Sequence, residues 1–172
     1  SADAKYIAAG ISDNTIALFD YLTRKKLKTF SGHSSGVISV ALSPNGKKML
    51  SASIDKTIRL WNIQTGKSEI LYEEKRKDSS ITFVDFSPDG KYAVSGGSPN
   101  VVILFNVVTG KIVKKLIYGR ISDDNKIKSV SFSPDGKYFI FGIRRPTLCR
   151  TKTGEEVLEF GGENPTRNLS VN

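Results

Sequence analysis

The sequence predicts an all-β protein built from repeated units, and three observations support this class. A turn string, Ser-Pro-Asn-Gly at residues 43–46, recurs as Ser-Pro-Asp-Gly at residues 87–90 and 133–136. The segments between the turns are short and rich in β-branched and aromatic residues, which favours strands over helices. One of them, residues 101–105, is apolar at every position, as expected of a strand that is buried on both faces.

The most complete repeat shows how each element is predicted. Residues 37–42 form a first strand, and the turn at 43–46 follows because Pro presets φ, Asn or Asp bonds back to the backbone and Gly accepts a positive φ. Residues 57–61 form a third strand, which a Thr-Gly-Lys turn at 65–67 joins to a fourth. Each repeat is therefore predicted to be a meander of four antiparallel strands. Its period of about 44 residues is typical of propellers and solenoids, and burial of both faces favours propeller blades.

The repeats divide the chain into blades of one propeller segment that spans residues 1–172. The predicted blades cover residues 1–33, which lack a first strand, and then 34–78, 79–125 and 126–166. Residues 167–172 start or close a further blade, which brings the predicted total to 16 strands. Three arrangements stay open at this point: a closed ring of four blades, a larger ring completed by two chains, and a piece of a longer propeller. We favour the piece.

Composition excludes several classes of protein. The hydrophobic fraction of 38% and the charged fraction of 25% are those of an ordinary globular domain. A lone Cys149 rules out an internal disulfide or a thiolate zinc cluster, and no apolar run is long enough to span a membrane. No secretory signal is evident at the N-terminus, so we expect the cytoplasm or the nucleus.

The residues of the second predicted blade resemble the WD-repeat family of β-propellers. The resemblance is carried by Gly32-His33, the strand 37–42, the turn 43–46, Ser51-Ala52-Ser53, Asp55 and residues 58–62, Ile-Arg-Leu-Trp-Asn. It extends over the whole chain and weakens towards 126–154. The terminal Asp of the family pattern is Asn62 and Asn106 here, and is Asp only at Asp20.

Four residues of that blade invite two interpretations. His33, Ser51 and Asp55 are the residue types of a Ser-His-Asp hydrolase. The resemblance instead implies that they form, with Trp61, a buried hydrogen-bonded tetrad that ties loop to strands. No G-x-S-x-G elbow surrounds Ser51, and the other repeats lack the full set, so we favour the structural tetrad.

Other chemistry is sparse. One His and one Cys far apart predict no metal site, and no Gly-rich string has phosphate-loop spacing, so we expect no cofactor and no small-molecule substrate. Cys149 is expected to pack as a small apolar side chain. Carboxylate pairs such as Glu73-Glu74 are expected to be solvated.

The net charge of +9 concentrates at two types of turn. The turns between first and second strands and those between third and fourth strands lie at the same edge of an up-and-down blade, which we call the basic rim. Polyanions are attracted to such a surface, although solvated turns are the simpler explanation. The residues assigned to the basic rim are Arg24, Lys25, Lys26, Lys47, Lys48, Lys67, Lys91, Lys111 and Lys137.

The opposite edge carries longer and less uniform loops, where binding residues tend to concentrate. We call it the partner rim, because the resemblance implies that propellers of this family most often bind partners there. By position in the repeat, the resemblance assigns to it Ser34, Gly36, Ile54, Asp78, Ser80, Ser98, Asp124, Lys126 and Arg144.

These observations and the resemblance together predict a non-catalytic scaffold that holds a partner protein on a rigid propeller surface within a larger complex. The alternative, from a different class, is electrostatic binding of nucleic acid or of an acidic membrane surface by the basic rim. No aromatic residues interleave the charged loops of the partner rim, which weakens the case for stacking of single-stranded bases there.

Overall fold

A computed structural model describes residues 1, 5–77, 79–98, 100–117, 127, 129–142 and 146–160. These residues form fifteen strands in four antiparallel sheets, and the predicted all-β class is confirmed. The predicted strand near residues 167–171 lies outside the described residues. In chain order the strands are β1 Tyr6–Gly10, β2 Ile16–Asp20, β3 Lys26–Phe30, β4 Val37–Leu42, β5 Lys48–Ser53, β6 Thr57–Asn62, β7 Ser68–Glu73, β8 Ser80–Phe86, β9 Tyr92–Ser98, β10 Val101–Asn106, β11 Lys111–Ile117, β12 Ser129–Phe132, β13 Tyr138–Gly142, β14 Pro146–Arg150 and β15 Glu156–Glu159.

Each sheet is a meander in which every strand pairs with the next along the chain. The sheets are β1–β3, β4–β7, β8–β11 and β12–β15, here called the first to fourth blades. In all four blades the pairing of the last two strands is irregular near its middle, for example between Leu104 and Phe105. Such an irregularity bends the outer strand and increases its twist.

The blades pack face to face, and their cores lie between neighbouring sheets. Apolar side chains of the first and second blades meet around Phe30 and Trp61, both nearly fully buried. The second and third blades meet through residues such as Leu60 and Ile103, while Leu104 faces the fourth blade. Residues 101–105 are therefore buried on both faces, as their composition predicts.

The repeated turn string forms the same hydrogen-bonded turn each time. Gly46, Gly90 and Gly136 have φ between 62° and 69°, a conformation that favours glycine. The side-chain Oδ1 of Asn45 accepts a hydrogen bond from the backbone N–H of Lys47, and the aspartates of the later copies make the same bond.

One backbone hydrogen bond recurs in all four blades and joins the two turn types that the sequence places at one edge. In the second blade, the backbone N–H of Ile63, just after β6, donates to the carbonyl of Lys47, just before β5, at 3.0 Å. The corresponding strands of the first blade are β2 and β1, and the same bond joins the residues beside them. In each blade the acceptor is a lysine. The pairs are Tyr21–Lys5, Ile63–Lys47, Val107–Lys91 and Thr151–Lys137.

The outward faces of the first and fourth blades lie outside these cores. Ile7 of β1 is 47% exposed, and Leu158 of β15 is 49% exposed. Ile7 lies on the side of its sheet that faces away from the second blade, since its strand neighbours Tyr6 and Ala8 pack against the core. Leu158 pairs with Leu148, whose strand neighbour Cys149 belongs to the core, so Leu158 also lies on the outward side. No helix in the described part of the chain is long and apolar enough to cross a membrane.

Candidate functional site

The four predicted tetrad residues come together at the junction of the first and second blades. Ser51 in β5 and Trp61 in β6 share one face of the sheet, because Met49 pairs with Trp61 and side chains alternate along a strand. His33 precedes β4, and Asp55 lies in the turn between β5 and β6. The structure thus brings together side chains from one loop, two strands and one turn.

The tetrad is a continuous chain of hydrogen bonds. The indole Nε1–H of Trp61 donates to Ser51 Oγ at 2.8 Å. Ser51 Oγ lies 2.7 Å from His33 Nε2, and His33 Nδ1 lies 2.8 Å from Asp55 Oδ2. Asp55 also accepts from the backbone N–H of Ser34 at 3.0 Å and from the Thr57 hydroxyl at 2.7 Å.

The donor and acceptor groups of the four side chains determine the direction of each hydrogen bond in the tetrad. The Asp55 carboxylate only accepts, so the histidine proton lies on Nδ1 towards Asp55. His33 Nε2 then accepts the hydroxyl proton of Ser51, while Ser51 Oγ accepts from the Trp61 N–H. This assignment requires a neutral imidazole, and burial lowers the pKa of His33 against the opposing effect of Asp55. Burial would raise the pKa of Asp55, but hydrogen bonds from Thr57 and His33 bring it to about 2.

The tetrad has the residue types of a hydrolase but not an accessible nucleophile. Ser51 has no exposed surface, and its oxygen is engaged by both Trp61 and His33. A substrate carbonyl has no path to that oxygen in this conformation. Trp61 in turn packs edge-on against Phe30 of the first blade at 5.7 Å, so the network lies within the interface between blades.

The third blade keeps only part of this arrangement. Ser95 is buried, and Phe105 stands where Trp61 does. By its offset in the repeat, either residue 99 or Asn100 could occupy the position of Asp55. Asn100 has φ 51°, matching Lys56 at 67° and Asn14 at 68°, so it corresponds to Lys56. Residue 99, which corresponds to Asp55, lies outside the described residues.

A second polar network joins the second and third blades, and it corrects the expectation that the Glu73-Glu74 pair is solvated. Glu74 is only 7% exposed. Two hydrogen bonds from the Arg76 guanidinium, at 2.7 and 3.0 Å, are the main reason that the pKa of Glu74 falls to about 2. Lys115 of the third blade lies 3.7 Å from the same carboxylate and donates to the Tyr72 hydroxyl at 2.8 Å. The expectation was wrong for Glu74, whose network includes Lys115 of another blade, a contact that the local sequence does not reveal. Glu73 is exposed, as expected.

The partner rim is described in part. Asp78, Asp124, Lys126 and Arg144 lie outside the described residues. Ser34 is exposed, Gly36, Ser80 and Ser98 are half-buried, and Ile54 is 60% exposed. The N–H of Ile54 donates to the carbonyl of Gly36 at 2.9 Å, which places these two residues side by side.

Two exposed apolar residues at the same edge of the blades were missed from the sequence. Ile11 and Ile38 are 37% and 45% exposed. Gly10, next to Ile11, lies against Val37, since a Cβ built on Gly10 would be 3.0 Å from the Val37 Cβ. Ile11 follows Gly10 and Ile38 follows Val37, so this contact brings their two segments together. The contact depends on the packing of one blade against the next, which no local sequence signal indicates.

All nine residues assigned to the basic rim are described, and they lie in or beside the two predicted turn types. Eight are exposed, and Lys48 is half-buried. Lys91 and Lys137 lie 3.9 and 3.6 Å from aspartates of their own turns.

Lys5 and Lys28 were not assigned to this rim, yet both lie at it. Lys5 precedes Lys47 by 42 residues, and this period could have identified it.

The fold and the repeated turns define the class of this protein as a β-propeller built from four-stranded blades. Comparison with known proteins gives the family. Residues 24–62 and 69–106 match the WD40 family model, described as WD domain, G-beta repeat. The chain carries WD40 repeats at these two positions, and the predicted repeats are confirmed there.

Similar proteins include one that is named as a component of a complex and one that is named for its association with a small nucleolar RNA. Retinoblastoma-binding protein 5 homolog of Drosophila melanogaster is 39% identical over 38% of this chain and 14% of its own length. Set1 complex component swd2 of Schizosaccharomyces pombe is 43% identical over 31% of this chain and 15% of its own. U3 small nucleolar RNA-associated protein 15 homolog of Xenopus tropicalis is 39% identical over 42% of this chain and 14% of its own. The matches thus span about one seventh of these relatives.

Replacing Ser51 by Ala is expected to lower the free energy of unfolding by about 1–3 kcal/mol, because it leaves the Trp61 N–H and His33 Nε2 buried without a partner. Urea denaturation measures the change. The control is Ser34→Ala, which removes an exposed hydroxyl and should stay within about 0.5 kcal/mol of the parent protein. Equal stability of the two variants would contradict the tetrad.

Stability is expected to fall as the pH drops from about 7.5 to about 5.5. The folded pKa of His33 is lowered from 6.5, so below that pH the unfolded chain binds a proton that the folded chain does not. His33 is the only histidine, so His33→Gln should flatten this part of the profile while lowering overall stability. Unfolding free energies at four pH values measure the slope, and an unchanged slope in the variant would refute the assignment.

Proposed function

We propose that this chain is a non-catalytic scaffold that holds a partner protein on the partner rim within a multi-subunit complex. The observation that carries the proposal is the exposure of Ile54 at 60%, in a turn whose next residue, Asp55, is fixed by the tetrad. An exposed apolar side chain on a rigid frame loses little conformational freedom on binding, which favours association.

The relatives support a role in an assembly. The names of two similar proteins describe a Set1 complex component and a protein associated with U3 small nucleolar RNA. Together with the WD40 repeats, these names favour a complex component over an enzyme. They favour the nucleus over the cytoplasm as its location, because small nucleolar RNA belongs to the nucleus.

Changing Ile54 to Asp is expected to reduce co-purification of partner proteins by about tenfold, because a charge would replace an apolar contact. The matched control is Leu22→Asp, an equally drastic change at a residue that is 84% exposed on the basic rim. Both variants should fold like the parent protein. Affinity purification of the tagged protein with quantitative mass spectrometry measures the reduction, and equal retention by Ile54→Asp and Leu22→Asp would contradict the proposal.

A second candidate function is electrostatic binding of nucleic acid or acidic lipid by the basic rim. Eight of the nine residues assigned to the basic rim are exposed, which favours this function. Among these nine, only Lys91 and Lys137 lie within ion-pair distance of a carboxylate in the described part of the chain.

If the second candidate is right, a single-stranded oligonucleotide should bind with an affinity that falls steeply with salt. The double change Lys26→Gln and Lys47→Gln should reduce the slope of log affinity against log salt by roughly 0.7 for each phosphate that is no longer neutralised. The control double change is Lys75→Gln and Lys77→Gln, at exposed lysines of the opposite edge. Fluorescence anisotropy at several salt concentrations measures the slopes, and equal slopes for the two variants would exclude the rim.

A further inference from the structure

A cleft of about 610 Å³ opens at the basic rim between the first and second blades. One wall is formed by the start of β1 and by β2 and β3, and the other by the two turns of the second blade. Its volume is within the range of sites that hold small ligands or the side chains of a bound peptide. The cleft is distinct from the tetrad and lies opposite the partner rim.

The charge at the cleft is positive. Lys5, Lys28 and Lys47 contribute to its lining, and none of the described residues that line it is an aspartate or a glutamate. The Lys28 ammonium donates to the Gln64 carbonyl at 2.9 Å and to the Ile63 carbonyl at 3.4 Å. These bonds hold the ammonium between the blades without neutralising it. An ammonium has three donors, so one remains for a ligand.

Two side-chain amides add further donors. Asn45 Oδ1 accepts hydrogen bonds from the Ser43 hydroxyl and the Lys47 N–H, at 2.9 and 3.1 Å. Asn62 Oδ1 accepts from the N–H of Thr65 at 2.9 Å. The oxygens are engaged within their own turns, so the NH₂ groups are what these amides offer a ligand. Such a site favours anionic acceptors such as carboxylates.

The cleft also has an apolar part. Leu18 and Ile63 lie at its base and are nearly fully buried, whereas Leu27 is 50% exposed. A ligand that covered Leu27 would remove apolar surface from water, which favours binding in proportion to the area covered. A ligand that suits this cleft therefore combines negative charge with an apolar group.

These features favour a peptide over a nucleic acid. Tyr6 is the one aromatic residue among the described lining residues, and the Lys5 ammonium lies 5.2 Å from the centre of its ring. That contact obstructs stacking of a base on this face of the ring. The lining has no arginine among the described residues, so it lacks the planar fork that binds phosphate through two parallel hydrogen bonds.

The geometry points to a binding site for an acidic peptide segment of another protein, with one apolar side chain against Leu27 and carboxylates at Lys28 and Lys47. This site goes beyond the proposed function because it lies at the basic rim. A chain without this site would still hold a partner at the partner rim.

The test begins with selection of peptides from a random phage-displayed library on the 172-residue chain. We expect enrichment of sequences that join Asp or Glu to Leu, Ile or Val. Affinities of the synthesised consensus peptide are then measured by fluorescence anisotropy. Lys47→Glu should weaken binding by about tenfold, since it reverses a charge at the interface. Leu27→Ser should weaken it at least severalfold.

Matched controls separate the cleft from general electrostatics. Lys91→Glu makes the same charge change at the corresponding turn of the third blade, and Leu22→Ser makes the same apolar change elsewhere on the basic rim. Both should bind the peptide within about twofold of the parent protein. Equal weakening by Lys47→Glu and Lys91→Glu would overturn the site.

Other outcomes overturn the inference in distinct ways. No enrichment, or a basic or uncharged consensus, excludes an acidic peptide. If Ile54→Asp weakens binding of the consensus peptide and Lys47→Glu does not, the peptide binds at the partner rim. That result would support the proposed scaffold function and reject the cleft as the binding site. A single-stranded oligonucleotide that binds in a manner sensitive to Lys47→Glu, where the peptide does not bind, would assign the cleft to nucleic acid.

Discussion

The structure depends on the burial of sheet faces against one another. A single four-stranded meander has apolar side chains on both faces and can bury neither alone, so each blade is stable only when it has neighbours. The strand β10 shows this most directly, because Ile103 packs towards the second blade and Leu104 towards the fourth. Stacking places the strand ends at two edges, and all loops and turns follow from that placement. The binding surfaces are therefore made of residues that the core does not use.

The polar networks fix how the blades meet. The tetrad ends at Trp61, which contacts Phe30 of the first blade. The Glu74 network connects the second blade to Lys115 of the third. Both have an ionised carboxylate with its hydrogen bonds satisfied, so burial is compatible with charge. Apolar packing alone tolerates sliding between sheets, whereas the directional bonds of the Glu74 network define one arrangement of the second and third blades.

The sequence was sufficient to predict features that lie within one repeat. The turns at 43–46, 87–90 and 133–136, the four-stranded meanders and the approach of His33, Ser51, Asp55 and Trp61 depend on local chain geometry or on a repeat pattern. Features formed between repeats were not predictable in this way. The network of Glu74 includes a lysine 41 residues away, and the cleft at Lys28 exists only because β3 lies beside the turns of the next blade. Asn100 was placed correctly only from its φ.

The recurring bond from the turn after the third strand to a lysine carbonyl has an evolutionary consequence. The backbone oxygen of Lys5, Lys47, Lys91 or Lys137 performs the structural task, while the side chain takes no part in that bond. Any residue can supply this carbonyl, since the same oxygen is present on every amino acid. Proline alone would remove the N–H that Lys47, Lys91 and Lys137 donate to the Asn or Asp side chain of the turn. The electrostatic character of this face can therefore drift, or be redesigned, one blade at a time without disturbing the architecture.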